Sequence, residues 1–375
     1  MTHDFGVTSL RIVAIANQKG GCGKTTTSIH LAACLSHLQH KTLLVDFDPQ
    51  GHSTCGLGIR AEELPHTLFD LLHPAAISGS LALSEVAVYA RPHLYVMPSY
   101  VVLGDLEDLY QDFEGLQEAF LRVLDLEALE REGFETVLID CPPNLGKLTR
   151  TALWAAGEVI VPIEPSFFSL HGLAKISETL EKINLHREQP LKIHALMTLV
   201  DTRNAFSGEV HANVRKHFGT RLFQTLIRED GLFKEAAGAG QTIVDYAPQS
   251  QAFEDYRDLA LEFLERGIDE SLMAAAGPEG SRRFGPRRVV GGMLFQIAYA
   301  QAQSVEIAGD FNRWIPEKLR KREGGLWQLV LSVASGRHRY KFIVDGEWRR
   351  DPYQPLQLRN GFGGYDSYLE LEHSR

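Results

Sequence analysis

The chain has 375 residues, of which 44% are hydrophobic and 23% are charged, a globular composition that excludes a globally disordered chain. It contains no run of about 18 apolar residues and so predicts no membrane-spanning helix. The net charge of −10 divides unevenly, because residues 281–375 hold 16 Lys and Arg against 10 Asp and Glu (+6), and residues 1–280 carry −16. This division indicates two units, and the acidic one argues against indiscriminate binding of nucleic acid.

The cysteines and the N-terminus indicate the cellular compartment in which the protein is expected. The four cysteines form no C-x-x-C pair, which excludes a ribbon-type zinc site and gives no disulfide framework. The N-terminus shows no basic-then-apolar signal sequence. Together these features predict a cytoplasmic location.

The first 268 residues alternate short apolar runs with longer helical patterns. Continuous apolar runs are typical of strands buried on both faces, so this order predicts an α/β domain with a mostly parallel sheet and helices on both faces. The predicted strands are 11–16, 42–46, 94–97, 136–140, 159–163 and 193–197. The predicted helices are 24–38, 116–132, 170–184, 208–218 and 253–266.

A Gly-, Pro- and Arg-rich segment follows and predicts a linker over 269–288. From residue 289 to residue 375 the apolar period changes to two, with a tight hairpin signal at Asp345-Gly346. The predicted strands there are 293–299, 304–308, 326–333 and 338–344. This pattern predicts a small all-β, immunoglobulin-like sandwich.

A glycine-rich loop separates the first strand from the first helix. Backbone N–H groups at the start of a helix cradle phosphates, so a P-loop NTPase is predicted. Lys24 would reach the β- and γ-phosphates and Thr25 would ligate Mg²⁺. Gln18 stands where the usual motif has its first glycine, and Lys19 opens the loop instead. The predicted nucleotide-binding residues are Lys19, Gly20, Gly21, Cys22, Gly23, Lys24, Thr25 and Thr26.

Two strands downstream end in carboxylates. Residues 136–140 end in Asp140, as a Walker B strand does, and residues 42–46 end in Asp46, with Asp48 two residues later. Side chains at i and i+2 of a strand face the same way, so both could face a metal and the attacking water. The predicted metal ligands are Thr25, Asp46 and Asp140.

These motifs resemble those of the ParA/MinD ATPases. Segment 19–26, K-G-G-C-G-K-T-T, resembles their deviant Walker A motif, and D-F-D-P-Q-G at 46–51 and I-D-C-P-P at 139–143 resemble their other signatures. The resemblance, over about residues 10–268, implies a slow, partner-stimulated ATPase that uses ATP and Mg²⁺ and forms an ATP-dependent homodimer. It implies catalytic roles for Lys24, for Lys19 acting on the partner's phosphates, and for Asp48 acting on water. A ParB-like activator is expected as a separate protein.

The same resemblance bears on whether the chain binds DNA or a membrane. Arg203 matches one of the arginines with which chromosomal ParA proteins bind nonspecific DNA, but Glu229 and Leu232 stand where a second family segment has its two arginines. Arg228 and Lys234 are possible substitutes, so DNA remains a possible partner. No basic amphipathic helix ends the ATPase unit, so no membrane binding is expected.

Segments 304–314 and 338–348 resemble the glycogen-binding module of AMP-activated kinase β subunits, over about residues 289–372. The resemblance implies that Trp314, Trp348 and Lys341 bind α-glucan, by stacking and hydrogen bonding. The family's binding asparagine is replaced at Asp366-Ser367. The alternative is that the tryptophans are core residues. Trp327, on an alternating strand, is expected in the core.

Three functions follow from these patterns. The first is an ATP-dependent positioning switch whose cargo or anchor is glycogen. The second is a chromosome or plasmid segregation ATPase that binds nonspecific DNA and uses the β-module for protein contacts. The third is a glucan-sensing regulator that binds ATP but barely hydrolyses it.

Overall fold

The computed structural model describes most of the chain as two compact units, Met1–Ala260 and Leu261–Arg375. The described residues are 10–75, 81–166, 178–180, 182–185, 187, 189–276, 286–289, 292–299, 302–322, 325–354, 356–360 and 364–371. Most of the predicted helix 170–184 lies outside these residues, although 178–180 and 182–184 are helical.

The first unit is built on a seven-stranded sheet of order β3-β4-β2-β5-β1-β6-β7. All neighbouring strands are parallel except β3, which is antiparallel to β4. The strands are β1 (Arg11–Ile15), β2 (Thr42–Asp46), β3 (Val88–Arg91), β4 (Leu94–Met97), β5 (Thr136–Asp140), β6 (Glu158–Ile163) and β7 (Lys192–Met197). Every residue of β2, β5 and β6 is buried, as expected for strands covered on both faces. The predicted α/β class is confirmed.

Helices connect these strands. They are α1 (Lys24–His37), α2 (His52–Gly56), α3 (Leu68–Leu72), α4 (Leu83–Val86), α5 (Leu106–Leu109), α6 (Phe113–Val123), α7 (Leu126–Arg131), α8 (Lys147–Ala155), α9 (Ala205–Phe218), α10 (Leu232–Gly238) and α11 (Ile243–Tyr246). The single helix predicted over 116–132 is two helices, because the Asp125 side chain accepts hydrogen bonds from the N–H groups of Glu127 and Ala128 and starts a new helix.

The last helix, α12 (Gln251–Ala276), is longer than predicted. Residues 269–276, which the sequence analysis places in the linker, are helical. Within the described part of the chain, none of the helices is both long and apolar enough to cross a membrane.

The second unit contains two antiparallel sheets. One has the order β11-β10-β14-β17-β16, with β15 also paired to β14, and the other has the order β12-β13-β9-β8. The strands are β8 (Arg287–Val289), β9 (Gly292–Ala298), β10 (Val305–Gly309), β11 (Glu317–Lys318), β12 (Arg320–Lys321), β13 (Leu326–Leu331), β14 (Gly336–Val344), β15 (Glu347–Arg349), β16 (Gln357–Arg359) and β17 (Tyr365–Leu371).

The core of this unit lies between the two sheets. Phe295 and Ile297 from one sheet and Ile307, Tyr340 and Phe342 from the other form one buried cluster. The predicted small β-sandwich is therefore confirmed. Trp327 is buried in it, and its indole N–H donates to the carbonyl of Tyr299 at 2.9 Å, as expected for a core residue.

Candidate functional site

The glycine-rich loop lies between the carboxyl end of β1 and the first turn of α1. Gly21 and Gly23 have φ angles of 73° and 84°, which glycine adopts without strain. A Cβ atom on Gly20 or Gly21 would meet nothing within 4 Å. The backbone of the loop therefore faces open space at the N-terminus of a helix, where an anion is stabilised.

Lys24 is a buried cation at this loop. Its side chain is among the buried polar groups, at 7% exposure, and its ammonium donates to the carbonyl of Lys19 at 3.0 Å. Among the described residues it forms no ion pair with a carboxylate. A buried ammonium is costly unless an opposite charge compensates it, so Lys24 is suited to an incoming anion.

Lys19 is held differently. Its ammonium lies 2.5 Å from Oε2 of Glu164 and 2.7 Å from Oγ of Ser166, just beyond β6. Its backbone N–H donates to Oδ1 of Asn17 at 3.1 Å. The two lysines of the loop therefore have separate surroundings, as their separate predicted roles require.

Asp140 and Asp46 meet at the carboxyl edge of the sheet, where the two residues are opposite each other in the β2–β5 register. Asp140 accepts hydrogen bonds from the hydroxyl of Ser28 at 3.0 Å and from that of Ser53 at 2.7 Å, and the nearby Thr25 side chain acts to lower its pKa. Burial raises the pKa of both carboxyls, that of Asp46 to about 8, and their mutual repulsion adds to this rise for Asp46.

Thr25 and Asp140 place a hydroxyl and a carboxylate oxygen together. Oxygen ligands of this kind suit Mg²⁺, which usually binds one or two protein groups and takes its other ligands from substrate phosphates and water. Dedicated clusters of three or more His, Cys, Asp or Glu are absent from the described residues. The residues present therefore fit a magnesium ion brought in with a nucleotide.

Asp46 and Asp48 are close in sequence but differ in environment. Oδ2 of Asp46 accepts from the N–H of Thr54 at 2.8 Å and from its hydroxyl at 2.6 Å, and its Oδ1 accepts from the N–H of Asp48 at 3.3 Å. Asp48 is 5% exposed and its Oδ1 accepts from the N–H of Gln50 at 3.0 Å. Asp46 is thus enclosed by the protein, whereas Asp48 has fewer hydrogen bonds and is the better placed of the two for a ligand or water.

Sequence reasoning missed the hydroxyl groups that hold these carboxylates. Ser28, Ser53 and Thr54 are ordinary helix residues in the sequence, and only the fold brings them to Asp46 and Asp140. Glu164 carried a usable signal. It follows a buried strand, as Asp140 ends one, and the carboxyl ends of parallel strands share one edge of the sheet.

The predicted glucan residues lie in the second unit. Trp314 and Trp348 are 36% and 49% exposed, and their ring centroids are 6.2 Å apart at an interplanar angle of 43°. They are surface residues, which corrects the alternative that they form the core. Nζ of Lys341 lies 3.7 Å from Oδ1 of Asp366, which also accepts from the amide of Asn360 at 2.7 Å.

Two turns present the tryptophans. Arg313 and Trp314 both have positive φ, at 56° and 59°, and the N–H of Trp314 donates to the carbonyl of Gly309 at 2.7 Å. Asp345 and Gly346 also have positive φ and connect β14 to β15, which carries Trp348. This is the hairpin predicted from the Asp-Gly pair.

The predicted DNA-contacting arginine is already paired. Arg203 is exposed, and its guanidinium lies 3.0 Å from a carboxylate oxygen of Asp201. Asp201 and Glu229 both raise the pKa of Arg203. Arg228, offered as a substitute, lies 3.0 Å from buried Asp255. Arg203 and Arg228 are therefore paired with carboxylates, whereas Lys234 is exposed and forms no ion pair with a described residue.

Comparison with known proteins decides the family. Residues 10–193 match the family model "AAA domain". The Soj protein of Bacillus subtilis, described as a sporulation initiation inhibitor, is 34% identical over 260 residues, which cover 68% of this chain and 99% of Soj. The chain belongs to the ParA/MinD family. It is accordingly a P-loop ATPase with ATP and Mg²⁺ as its cofactors, as the sequence predicts.

Two further proteins illustrate the range of this similarity. The chromosome partitioning protein ParA of Caulobacter vibrioides is 36% identical over 270 residues, which cover 71% of this chain and 98% of ParA. A crystal structure of cobyrinic acid a,c-diamide synthase from Mycobacterium smegmatis with bound ADP and magnesium has a TM-score of 0.57 and 30% identity, and covers 68% of this chain and 95% of that one.

The second unit has its own match. Residues 294–375 match the model described as the glycogen recognition site of AMP-activated protein kinase. The chain therefore joins a ParA/MinD-type ATPase to a module of the glycogen-recognition family, as the sequence motifs predict.

Proposed function

We propose that this chain is an ATP-switched positioning protein whose cargo or anchor is an α-glucan such as glycogen. ATP binding drives homodimerisation, and hydrolysis stimulated by a separate activator returns the monomer. The glucan module links the switch to the glucan. In this proposal the ATPase domain spans residues 1–268 and the β-sandwich module spans residues 289–375.

The nucleotide step begins at the glycine-rich loop. Its N–H groups and Lys24 would bind the phosphates, and Thr25 and Asp140 would hold Mg²⁺. Bound Mg²⁺ would neutralise phosphate charge and orient the γ-phosphate. Because Asp46 and Asp140 are buried together with raised pKa values, a cation beside them favours loss of their protons.

Lys19 and Asp48 have different roles in the switching step, the first in dimerisation and the second in hydrolysis. A Lys19 ammonium that reaches the partner's phosphates compensates charge only when both chains carry ATP, which makes dimerisation depend on nucleotide. Asp48 orients the attacking water. Among the two carboxylates of this turn, it is Asp48 whose oxygens are less committed to protein donors, which supports this assignment.

One observation carries the glucan part of the proposal. The ring centroids of Trp314 and Trp348 lie 6.2 Å apart, and each residue is more than a third exposed, in a unit that matches a glycogen-recognition model. Exposed indoles stack on the apolar faces of sugars. Lys341 offers ammonium donors for sugar hydroxyls.

Co-sedimentation tests this function directly. The full-length protein is centrifuged with glycogen, with DNA or alone, each with and without ATP and Mg²⁺. We expect sedimentation with glycogen in both nucleotide states and ATP-dependent dimers by analytical ultracentrifugation. Failure to sediment with glycogen would exclude the glucan cargo. Sedimentation with DNA only in ATP would instead support the segregation function named for ParA of Caulobacter vibrioides.

A glucan-sensing regulator with little turnover would give a third result. It would bind glycogen and ATP, but phosphate release would stay at background in the presence of every activator tested. The pairing of Arg203 with Asp201 and of Arg228 with Asp255 speaks against the DNA alternative.

A further inference from the structure

Glu164 restrains the lysine on which the switch depends. In the described structure the Lys19 ammonium lies 2.5 Å from Oε2 of Glu164 and 2.7 Å from the hydroxyl of Ser166. Both charged side chains are partly buried, each at 31% exposure. The Lys19 ammonium is therefore held by two side chains of its own chain.

The loop geometry joins this contact to the nucleotide site. The carbonyl of Lys19 accepts from the Lys24 ammonium at 3.0 Å and from the thiol of Cys22 at 3.2 Å. Glu164 is near enough to the loop to act electrostatically on Cys22, as Lys19 and Lys24 also do. Lys19 thus contacts both the Lys24 ammonium, which is proposed to bind the phosphates, and the Glu164 carboxylate.

We propose that Glu164, with Ser166, forms an intramolecular latch that holds Lys19 in cis and sets the ATP concentration at which the dimer forms. To reach a partner's phosphates, Lys19 must exchange the Glu164 carboxylate for another anion. The exchange opens one latch in each protomer. Glu164 is a positioning residue that acts through Lys19, and this inference rests on the proposed ATP-dependent dimerisation.

The size of the effect follows from the exposure of the pair. Partly exposed ion pairs are of modest strength, and releasing one changes an equilibrium by about threefold. A dimer opens two latches, so loss of both should tighten the dimer dissociation constant about tenfold. The direction is a gain of dimerisation, which damage to the fold does not produce.

The test compares Glu164→Gln with wild type by sedimentation velocity in saturating AMPPNP and Mg²⁺. Saturating nucleotide separates dimer affinity from any change in nucleotide affinity, and binding of ADP to the monomer is measured in parallel. We expect a dimer dissociation constant about tenfold lower, and a smaller decrease for Ser166→Ala, which leaves the ion pair in place. The matched control is Glu63→Gln, which removes an exposed pair with Arg60 at 2.9 Å and should change nothing.

The outcomes separate the latch from the proposed function. If wild-type protein stays monomeric in AMPPNP, the proposed ATP-dependent dimer is wrong. If wild type dimerises and Glu164→Gln dimerises equally or more weakly, the switch stands and the latch is overturned. Should Glu164→Gln fail to fold, an unchanged dissociation constant in Ser166→Ala would overturn the latch, because the two side chains hold the same ammonium.

Discussion

At the scale of single residues, Lys19 and Lys24 differ in what holds their ammonium groups. Lys24 is buried against a backbone carbonyl, whereas Lys19 is half-buried against a carboxylate at a different strand end. The sequence places the two lysines five residues apart in one loop and suggests different roles from the motif alone. The structure adds the physical difference, which a sequence cannot show because Glu164 is 145 residues away from Lys19.

Replacing Lys24 and replacing Lys19 by alanine should impair different properties of the protein. We expect Lys24→Ala to abolish ATP binding, because it removes the buried ammonium at the loop. Lys19→Ala should retain ATP binding and lose ATP-dependent dimerisation. Titration with a fluorescent ATP analogue and sedimentation velocity measure the two properties. A Lys19→Ala protein that still dimerises with ATP would show that Lys19 has no role in trans.

Replacing Asp48 should impair ATP hydrolysis without impairing nucleotide binding. We expect Asp48→Ala to slow ATP hydrolysis by about a hundredfold, the usual order for loss of a group that handles the reacting water or proton, and to give a long-lived ATP dimer. Nucleotide affinity should change little. Phosphate release and dimer lifetime are measured together, with Asp112→Ala, at an exposed helix cap, as control. Wild-type turnover in Asp48→Ala would transfer the hydrolytic role, with Asp46 next to be tested.

At the scale of elements, apolar periodicity predicted the buried strands well. The ends of β2 and β5 are as predicted, because three consecutive apolar residues followed by Asp mark a strand that reaches the edge of a covered sheet. Apolar periodicity did not predict element boundaries that are set by local polar contacts. The cap at Asp125 splits one predicted helix, and the short antiparallel edge strand β3 was not predicted.

The hydrogen-bonding residues of the site could not be read from the sequence for another reason. Ser53 and Thr54 follow the D-F-D-P-Q-G segment, but their partners depend on the turn at Gly51. Gly51 has φ of 64°, and a Cβ there would lie 2.6 Å from the carbonyl oxygen of Ser99. This turn places α2 so that Thr54 and Ser53 face the two carboxylates.

Gly51 should therefore tolerate no side chain. We expect Gly51→Ala to destabilise the first unit by about 3 kcal/mol through backbone strain and the clash at Ser99. The first thermal transition should fall by about 6 °C or more. Gly133→Ala is the matched control, because Gly133 also has positive φ, at 80°, but has open space around its Cβ position. It should cost only about 1 kcal/mol, and equal losses in the two variants would contradict the clash.

At the scale of the whole molecule, the residues of the two proposed activities lie in different units. The nucleotide residues all belong to Met1–Ala260, and the paired tryptophans belong to Leu261–Arg375. The charge of the sequence indicated two units by a split between residues 280 and 281, whereas the two compact units divide between Ala260 and Leu261. Charge and pattern did not predict how far α12 extends, because its helical period continues into the segment whose Gly- and Pro-rich end marks a linker.

A double variant tests this separation. We expect Trp314→Ala with Trp348→Ala to weaken glycogen binding by about tenfold or more, since each stacking contact contributes roughly 0.5–1.5 kcal/mol. ATPase turnover and dimerisation should be unchanged. The measurement is electrophoresis of the full-length protein through glycogen-containing gels. Tyr89→Ala removes a still more exposed aromatic ring from the first unit and serves as control. Equal retardation of the wild type and both variants would exclude the tryptophan site.

The inclination between the two indole rings has a consequence for linkage selectivity. Trp314 and Trp348 lie at 43° to each other, so a saccharide that rests flat on both rings at once must be bent by a comparable angle. A chain of α-1,4-linked glucose is curved in this sense, whereas a β-1,4-linked ribbon is straight and flat and can cover only one of the two rings. We therefore expect maltooligosaccharides to compete with glycogen for this surface, and cellooligosaccharides of the same length to compete poorly.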